Sequence, residues 1–195
     1  MSHFLPLRIP KEPRWKPYHR NLNFDLAPNV KDWLLDNGSL TRRLLDASDG
    51  NFQVQVLQQS LGKPKLSETR RLCLKQGEWA LIREVVLMCF GEPWVFARSV
   101  IPRTTIVGST QHIKGMGSRP LGAELFKDPS LRRKVVDIAK MSAKDLSLIN
   151  HHETAWARRS LFTVGGKGLL VAEIFLPEVL SRRAVKHPVK RQLIC

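Results

Sequence analysis

The segment GLLVAEIFLP, residues 168–177, constrains the fold most strongly. In an extended strand, residues two apart share a face. One face would carry Leu169, Val171, Glu173 and Phe175, and the other Leu170, Ala172, Ile174 and Leu176. Both faces are apolar, so we expect protein to cover both sides of this strand. Glu173 then has no solvent-facing side, and a buried carboxylate must find a partner or take up a proton.

Two pairs of apolar runs joined by turn residues predict two β-hairpins. The first is EWALIREVVLMCFGEPWVFARSVIP, with Gly91, Glu92 and Pro93 between its strands. The second consists of WARRSLFTV, the turn GGKG and LLVAEIFLP. The alternation in FQVQV predicts a further, half-buried strand at Phe52–Val56.

Helices are predicted before and between these hairpins. NVKDWLLDNGSLTRRLLDAS indicates two short helices, the first ended by Asn37-Gly38 and the second capped by Ser39. Residues 120–127 and 129–142 are also predicted to be helical, and residues 60–70 to form a loop. Strands in hairpins with helices segregated from them are typical of the α+β class, here with a single antiparallel sheet flanked by helices.

The ends of the chain carry much of its basic charge. The formal net charge is +15, and the last fifteen residues contain five Lys or Arg and no acid. We therefore expect a basic, extended arm at residues 1–24, one domain at 25–178, and a mobile basic tail at 179–195. Such a basic charge is typical of proteins that bind RNA or an anionic membrane surface. No convincing recognition helix is present and the one tyrosine is no stacking platform, so we expect no specific nucleic acid.

Cysteine usage and hydropathy point to the cytoplasm. The three cysteines form no CxxC pair, which favours a reducing compartment. The apolar patch at the N-terminus is interrupted by Pro6 and is too short for a signal peptide. No apolar run approaches the length that spans a bilayer, so we expect no transmembrane segment.

Two further strand charges stand where hydrophobic residues are expected. Arg83 shares a face with Leu81, Val85 and Leu87, and Arg98 shares one with Trp94, Phe96 and Val100. One interpretation is an apolar ligand pocket with a few fixed polar groups, in which an arginine fork binds a carboxylate. A second is an internal ion pair, for instance Arg83 with Glu173, and a third is a misread strand register.

Other motifs are weaker. His151, His152 and Glu153 are adjacent and do not form a metal-binding spacing, so we expect a solvated loop and no metal site. VGGKG, residues 164–168, lacks the spacing and the Ser/Thr of a phosphate-binding loop and is interpreted as a hairpin turn.

With these residues in view, the chain resembles the bacterial chorismate pyruvate-lyase family. The resemblance runs from about VKDWLL to EIFLP, residues 30–177. The motifs that carry it, in the family's order, are DWLLDNGSLTRRL, LIREVVL, GEPWVFARSVIP, PLGAELF, ARRSLF and GKGLLVAEIFLP.

The resemblance implies an enzyme that removes pyruvate from chorismate to give 4-hydroxybenzoate, the first committed step of ubiquinone synthesis in many bacteria. It implies an antiparallel sheet flanked by helices, an enclosed pocket, and no metal or cofactor. The family's substrate-contacting arginine and glutamate fall on Arg83 and Glu173, which we take as the catalytic pair. Its backbone contact from the Pro-Leu-Gly segment falls on Leu121. A helix methionine against the ligand falls on Leu40, which is a departure that conserves volume.

Several points stay open at this stage. Arg98, Arg158 and Lys167 are all candidates for the second carboxylate of chorismate. We expect a cytoplasmic monomer inhibited by its product, because a closed site that grips both ends of an aromatic acid releases it slowly. The main alternative is a non-catalytic domain that binds an aromatic acid, as in the effector domains of transcription regulators.

Overall fold

A computed structural model of the protein describes residues 12–18, 26–142 and 154–181. Its seven strands form one sheet in the order β1-β5-β6-β7-β4-β3-β2, and every neighbouring pair is antiparallel. The strands are β1 (Lys16–Pro17), β2 (Phe52–Gly62), β3 (Ala80–Cys89), β4 (Glu92–Pro102), β5 (Arg132–Ser142), β6 (Thr154–Val164) and β7 (Lys167–Phe175). The predicted α+β class with a single antiparallel sheet is confirmed.

Short helices lie between the strands and after β7. They are α1 (Pro28–Leu34), α2 (Leu40–Ala47), α3 (Leu66–Arg71), α4 (Leu121–Leu125), α5 (Pro177–Leu180) and a 3-10 helix (Gly108–Gly115). The two predicted N-terminal helices are confirmed. Pro28 occupies the first turn of α1, where its missing N–H costs nothing, and the Ser39 hydroxyl caps α2 by accepting from the Arg42 backbone N–H at 3.4 Å.

Both predicted hairpins are confirmed, with tighter turns than expected. Phe90 and Gly91 connect β3 to β4, and Gly165 and Gly166 connect β6 to β7. All four residues have positive φ, between 53° and 79°, which is the backbone twist that a two-residue hairpin needs. Glu92 therefore already belongs to a strand, and so do the last two residues of the predicted GGKG turn.

Two local predictions are wrong. Residues 132–142, predicted to lie in a helix, form β5, which pairs with β6 along its whole length. Its valines and isoleucine favour a strand, and a register shift between Arg133 and Val135 breaks the two-residue alternation that would have indicated one. Residues 60–70, predicted as a loop, contain the end of β2 and most of α3, where the Glu68 carboxylate caps the helix at the Lys65 N–H, 2.8 Å away.

The sheet is covered on both sides, as the double apolar pattern of β7 predicted. We call the side that carries Arg83, Ala97 and Glu173 the front face and the side that carries Glu84, Arg98 and Ala172 the back face. Helices α1, α2, α4 and α5 pack on the front face through buried residues such as Trp33 and Leu125. The back face is covered by α3 and by residues 12–18, from which Trp15 packs against the core.

The predicted domain limits extend beyond the described residues at both ends. Of the N-terminal arm, the structure describes only residues 12–18, which include β1 paired with β5. Most of the C-terminal tail lies outside the described residues, and so do His151, His152 and Glu153, which were predicted to lie in a solvated loop. No helix within the described ranges has the length and apolar character that crossing a bilayer requires.

Candidate active site

A cavity lies between the front face and helices α2 and α4. Its volume is about 60 Å³, against the roughly 10–15 Å³ that one water occupies on the same measure. A cavity that binds benzene measures about 150 Å³, so a single-ring ligand requires α2 and α4 to move apart and enlarge this one. Its lining is Leu40, Thr41, Val54, Arg83, Val85, Leu87, Ala97, Ser99, Pro120, Leu121, Gly122, Leu125, Phe126, Arg133, Phe162, Val171 and Glu173.

The four residues to which the family resemblance assigned substrate contacts, Leu40, Arg83, Leu121 and Glu173, all line this cavity. Arg83 projects from β3 and Glu173 from β7, and both are buried, with 2% and 8% of their surface exposed. Leu40 is the first residue of α2 and Leu121 the first residue of α4. The sheet thus forms the floor with the two charges, and the starts of two helices form the roof.

The two charges stand at separate positions on the floor. Arg83 pairs with Ser99 and Ser99 with Val171, so Glu173 lies two strands across and two residues along from Arg83. Standard strand dimensions put their Cα atoms about 12 Å apart. Aliphatic residues, including Val85 and Ala97, lie between them. The direct Arg83–Glu173 ion pair, which the sequence left open, does not form.

Arg83 is a buried cation without a carboxylate partner among the described residues. Its Nη1 donates to the Gln59 side-chain oxygen at 2.5 Å, and its Nη2 to the Arg119 backbone oxygen at 3.0 Å. Burial away from water lowers the pKa of Arg83 below its usual value. Two neutral acceptors compensate only part of the desolvation, so the site favours an anion beside this guanidinium.

Glu173 does have an internal partner, which is Arg158. Arg158 Nε donates to Glu173 Oε2 at 2.7 Å, and Arg158 Nη1 donates to the backbone oxygen of Asp36 at 2.9 Å. Arg158 is thereby fixed between the floor and the loop that joins α1 to α2. Glu173 Oε1 makes no hydrogen bond to any described residue and remains available to a ligand hydroxyl.

The length of the β6–β7 turn is the sequence signal for this pair. Taking Gly165-Gly166 as a two-residue turn places Arg158 directly opposite Glu173, which is the register observed. Opposite charges at directly facing positions of an antiparallel pair are within contact distance. The four-residue turn that we expected shifts the register and hides the pairing.

Arg133 is the site residue that sequence reasoning missed, because it was placed in a helix. It lies at the start of β5, opposite Phe162, and lines the cavity. Its guanidinium carbon lies 4.9 Å from the Phe162 ring centroid, and its Nη1 donates to the Asp36 backbone oxygen at 2.7 Å. Desolvation, followed by repulsion from Arg158, lowers the pKa of Arg133 to about 10.

The other two candidate cations lie elsewhere. Arg98 is on the back face, where it donates to Glu68 and Glu84. Lys167 is exposed at the beginning of β7, next to the hairpin turn. Neither lines the cavity. Within the described part of the chain, no group of three or more His, Cys, Asp or Glu side chains is arranged to hold a metal ion.

The roof is closed by a direct contact between α2 and α4. A β-carbon placed on Gly122 would lie 2.9 Å from Thr41 Oγ1, closer than real β-carbons approach such atoms. Glycine at this position therefore allows the two helices to meet above the cavity.

Solved structures of regulator domains share this fold. The C-terminal domain of the histidine utilization repressor from Pseudomonas syringae pv. tomato aligns with a TM-score of 0.53 at 9% identity, covering 71% of this chain and 99% of that one. A GntR-family transcriptional regulator from Bacillus cereus aligns with a TM-score of 0.52 at 10% identity, covering 70% and 99%. At such low sequence identity these similarities show only a shared fold.

Sequence comparison is more specific. A protein from Aromatoleum aromaticum named "Probable chorismate pyruvate-lyase" is 42% identical over 161 residues, 78% of this chain and 86% of its own length. One of the same name from Alcanivorax borkumensis is 37% identical over 186 residues, covering 95% and 86%. The sequence profile described as "Chorismate lyase" matches residues 10–185. The chain therefore belongs to the chorismate lyase family.

Proposed function

We propose that the protein eliminates pyruvate from chorismate and releases 4-hydroxybenzoate, as the first step of ubiquinone synthesis. The observation that carries this proposal is the pair of buried charges, Arg83 and Glu173, held apart across an apolar cavity floor. An aromatic acid with a carboxylate at one end and a hydroxyl at the other matches that arrangement. Membership in the chorismate lyase family supports the choice of chorismate among such acids.

Arg83 binds the ring carboxylate in this proposal. Its guanidinium lacks a carboxylate partner within the described residues and offers a planar, bidentate donor pair. Leu121 is the first residue of α4, so its backbone N–H has no acceptor within the helix and can donate to the same carboxylate. Both contacts hold the substrate ring in one orientation.

Glu173 binds the ring hydroxyl at the other end. Its Oε2 is held by Arg158, which leaves Oε1 to accept from the hydroxyl. Arg158 therefore acts through Glu173 as a positioning residue. Leu40 and the aliphatic floor exclude water from the ring between the two ends.

The reaction breaks the bond between ring carbon 3 and the enolpyruvyl oxygen and removes the hydrogen from ring carbon 4. The ring becomes aromatic, and the hydrogen ends on the methylene carbon of the departing group, which leaves as pyruvate. Because aromatisation supplies the driving force, the protein has mainly to hold the reactive conformer and stabilise charge on the departing oxygen.

The direct test mixes purified protein with chorismate, follows the absorbance and identifies the products. We expect 4-hydroxybenzoate and pyruvate in equal amounts. Arg83→Ala and Glu173→Gln should each lower kcat/KM about 100-fold or more, because each removes a charge-assisted contact in a dry site. Lys167→Gln, at the exposed start of β7, is the matched control and should stay within about twofold of the wild-type value.

Other outcomes of this test exclude the proposal. Chorismate bound without turnover would favour the non-catalytic binding domain. The absence of any binding would exclude both the lyase and that alternative. Loss of the folded state in both Arg83→Ala and Glu173→Gln, seen by circular dichroism, would assign the two charges a structural role.

Product inhibition follows from the closed roof. Because α2 and α4 meet over the cavity at Gly122, release of 4-hydroxybenzoate requires them to separate. We expect added 4-hydroxybenzoate to inhibit competitively with chorismate and to slow progress curves as it accumulates. Progress curves that stay linear with excess product present would contradict this gating.

A further inference from the structure

The end of the cavity at Glu173 holds a second cation, Arg133, that no carboxylate neutralises among the described residues. Its Nε is buried and has no hydrogen-bond partner in the described part of the chain. Within that part, its other donors reach only backbone oxygens, of Asp36 at 2.7 Å and of Gly38 at 3.5 Å. A buried guanidinium N–H without an acceptor costs free energy unless a ligand atom accepts its hydrogen bond.

The charges around Arg133 favour an additional anion. The carboxylates that act on it are Glu173, already bonded to Arg158, and Asp36, already paired with Arg43. Arg158 in turn repels Arg133, while Glu173 and Asp36 attract it. This end of the cavity therefore contains two guanidinium groups, those of Arg133 and Arg158, and one carboxylate lining it. One positive charge is left over.

Chorismate carries the matching charge at the matching place. Its ring carboxylate lies opposite the ring hydroxyl, and its enolpyruvyl ether is attached to the carbon next to the hydroxyl-bearing one. If Arg83 holds the ring carboxylate and Glu173 the hydroxyl, the second carboxylate must fall near the Glu173 end. Arg133 is the cavity-lining cation there that is not already paired within the described residues.

We propose that Arg133 binds the enolpyruvyl carboxylate of chorismate, an assignment that rests on the lyase function proposed above. Arg98 and Lys167 do not line the cavity, and Arg158 is occupied by Glu173 and the α1–α2 loop. Because the carboxylate leaves with pyruvate, Arg133 contacts the substrate and not the aromatic product. It therefore lets the site distinguish chorismate from 4-hydroxybenzoate by charge.

The test uses this difference between substrate and product. Arg133→Met keeps much of the packing against Phe162 and removes the charge, so kcat/KM for chorismate should fall about 100-fold while the Kd of 4-hydroxybenzoate stays within about threefold. Arg83→Met is the matched control, and it should weaken both ligands. Steady-state assays and calorimetric titration with 4-hydroxybenzoate measure the two quantities.

A second variant separates binding from folding. Arg133→Lys keeps a cation but loses the planar fork, so it should recover about tenfold of the kcat/KM lost in Arg133→Met. Equal losses for substrate and product in both variants, or no loss in either, would overturn the assignment of Arg133. A wild-type protein that does not convert chorismate would overturn the lyase function itself, so the two failures are distinguishable.

Discussion

The front and back faces of the sheet both bury arginines, but they treat them differently. On the back face, Arg98 donates to both Glu68 and Glu84, and Asp137 accepts from both Arg71 and Arg159. Three guanidinium groups there meet three carboxylates. On the front face, the described residues hold three guanidinium groups, those of Arg83, Arg133 and Arg158, and only Arg158 is paired with the one carboxylate that lines the cavity, Glu173.

The difference appears in the electrostatics of single residues. Burial alone acts to lower the pKa of Arg98, but hydrogen bonds and attraction from Glu68 and Glu84 outweigh it, so the pKa is raised. For Arg83 and Arg133 burial dominates and the pKa is lowered. Where the counter-charge is built into the protein, removing it destabilises the fold because it leaves a buried charge uncompensated. A buried cation without a counter-charge instead favours an anionic ligand.

The largest expected effect tests the compensated face. Asp137→Asn leaves Arg71 and Arg159 without their shared carboxylate, and we expect it to lower the free energy of unfolding by about 3–5 kcal/mol. Urea unfolding measures this. The control is Asp46→Asn, which removes a surface partner of Arg42 and should cost less than about 1 kcal/mol. Similar losses in both variants would remove the distinction between a buried network and a surface pair.

A direct comparison of one arginine from each face comes next. Arg98→Met leaves two carboxylates without their cation and should lower the free energy of unfolding by about 2–4 kcal/mol. Arg83→Met leaves only neutral acceptors without a donor and should change the free energy of unfolding by less than about 1 kcal/mol. The same urea titrations give both numbers. If the two variants lost equal stability, the front-face cation would be structural and the contrast between the faces would fail.

The smallest expected effect concerns the roof. Leu40→Met conserves volume and apolar character where the family resemblance places a methionine. We expect the Kd of 4-hydroxybenzoate to change less than about tenfold, because swaps of this kind cost below roughly 1.5 kcal/mol. A larger change would mean that packing of the roof, and not only the charges on the floor, determines binding.

Much of the fold was predictable because its signals are local. The β3–β4 and β6–β7 hairpins follow from apolar runs joined by glycine-containing turns, and α2 from Ser39 and its leucine stripe. Strand β5 was not predictable in the same way, since its register shift near Arg133 hides the alternation and its pairing with β6 is set by residues distant in sequence.

The same cause limits what could be predicted of the site. Arg83 and Glu173 were noticeable because each interrupts a clean apolar pattern on a correctly assigned strand. Arg133 does not interrupt such a pattern, so only the three-dimensional arrangement brings it to the cavity. The partner of Glu173 depends on the length of the β6–β7 turn. A turn longer by two residues would shift the register and place a residue other than Arg158 opposite Glu173.

The glycine at the junction of α2 and α4 makes the closure above the site easy to adjust. At Gly122 a single added methyl group would press on Thr41 and hold the helices slightly apart. Such a wedge would shorten the residence time of a bound aromatic acid and, in exchange, admit water to a compartment that the aliphatic floor keeps dry. One side-chain carbon at this junction would thus speed the release of the aromatic acid and weaken its binding.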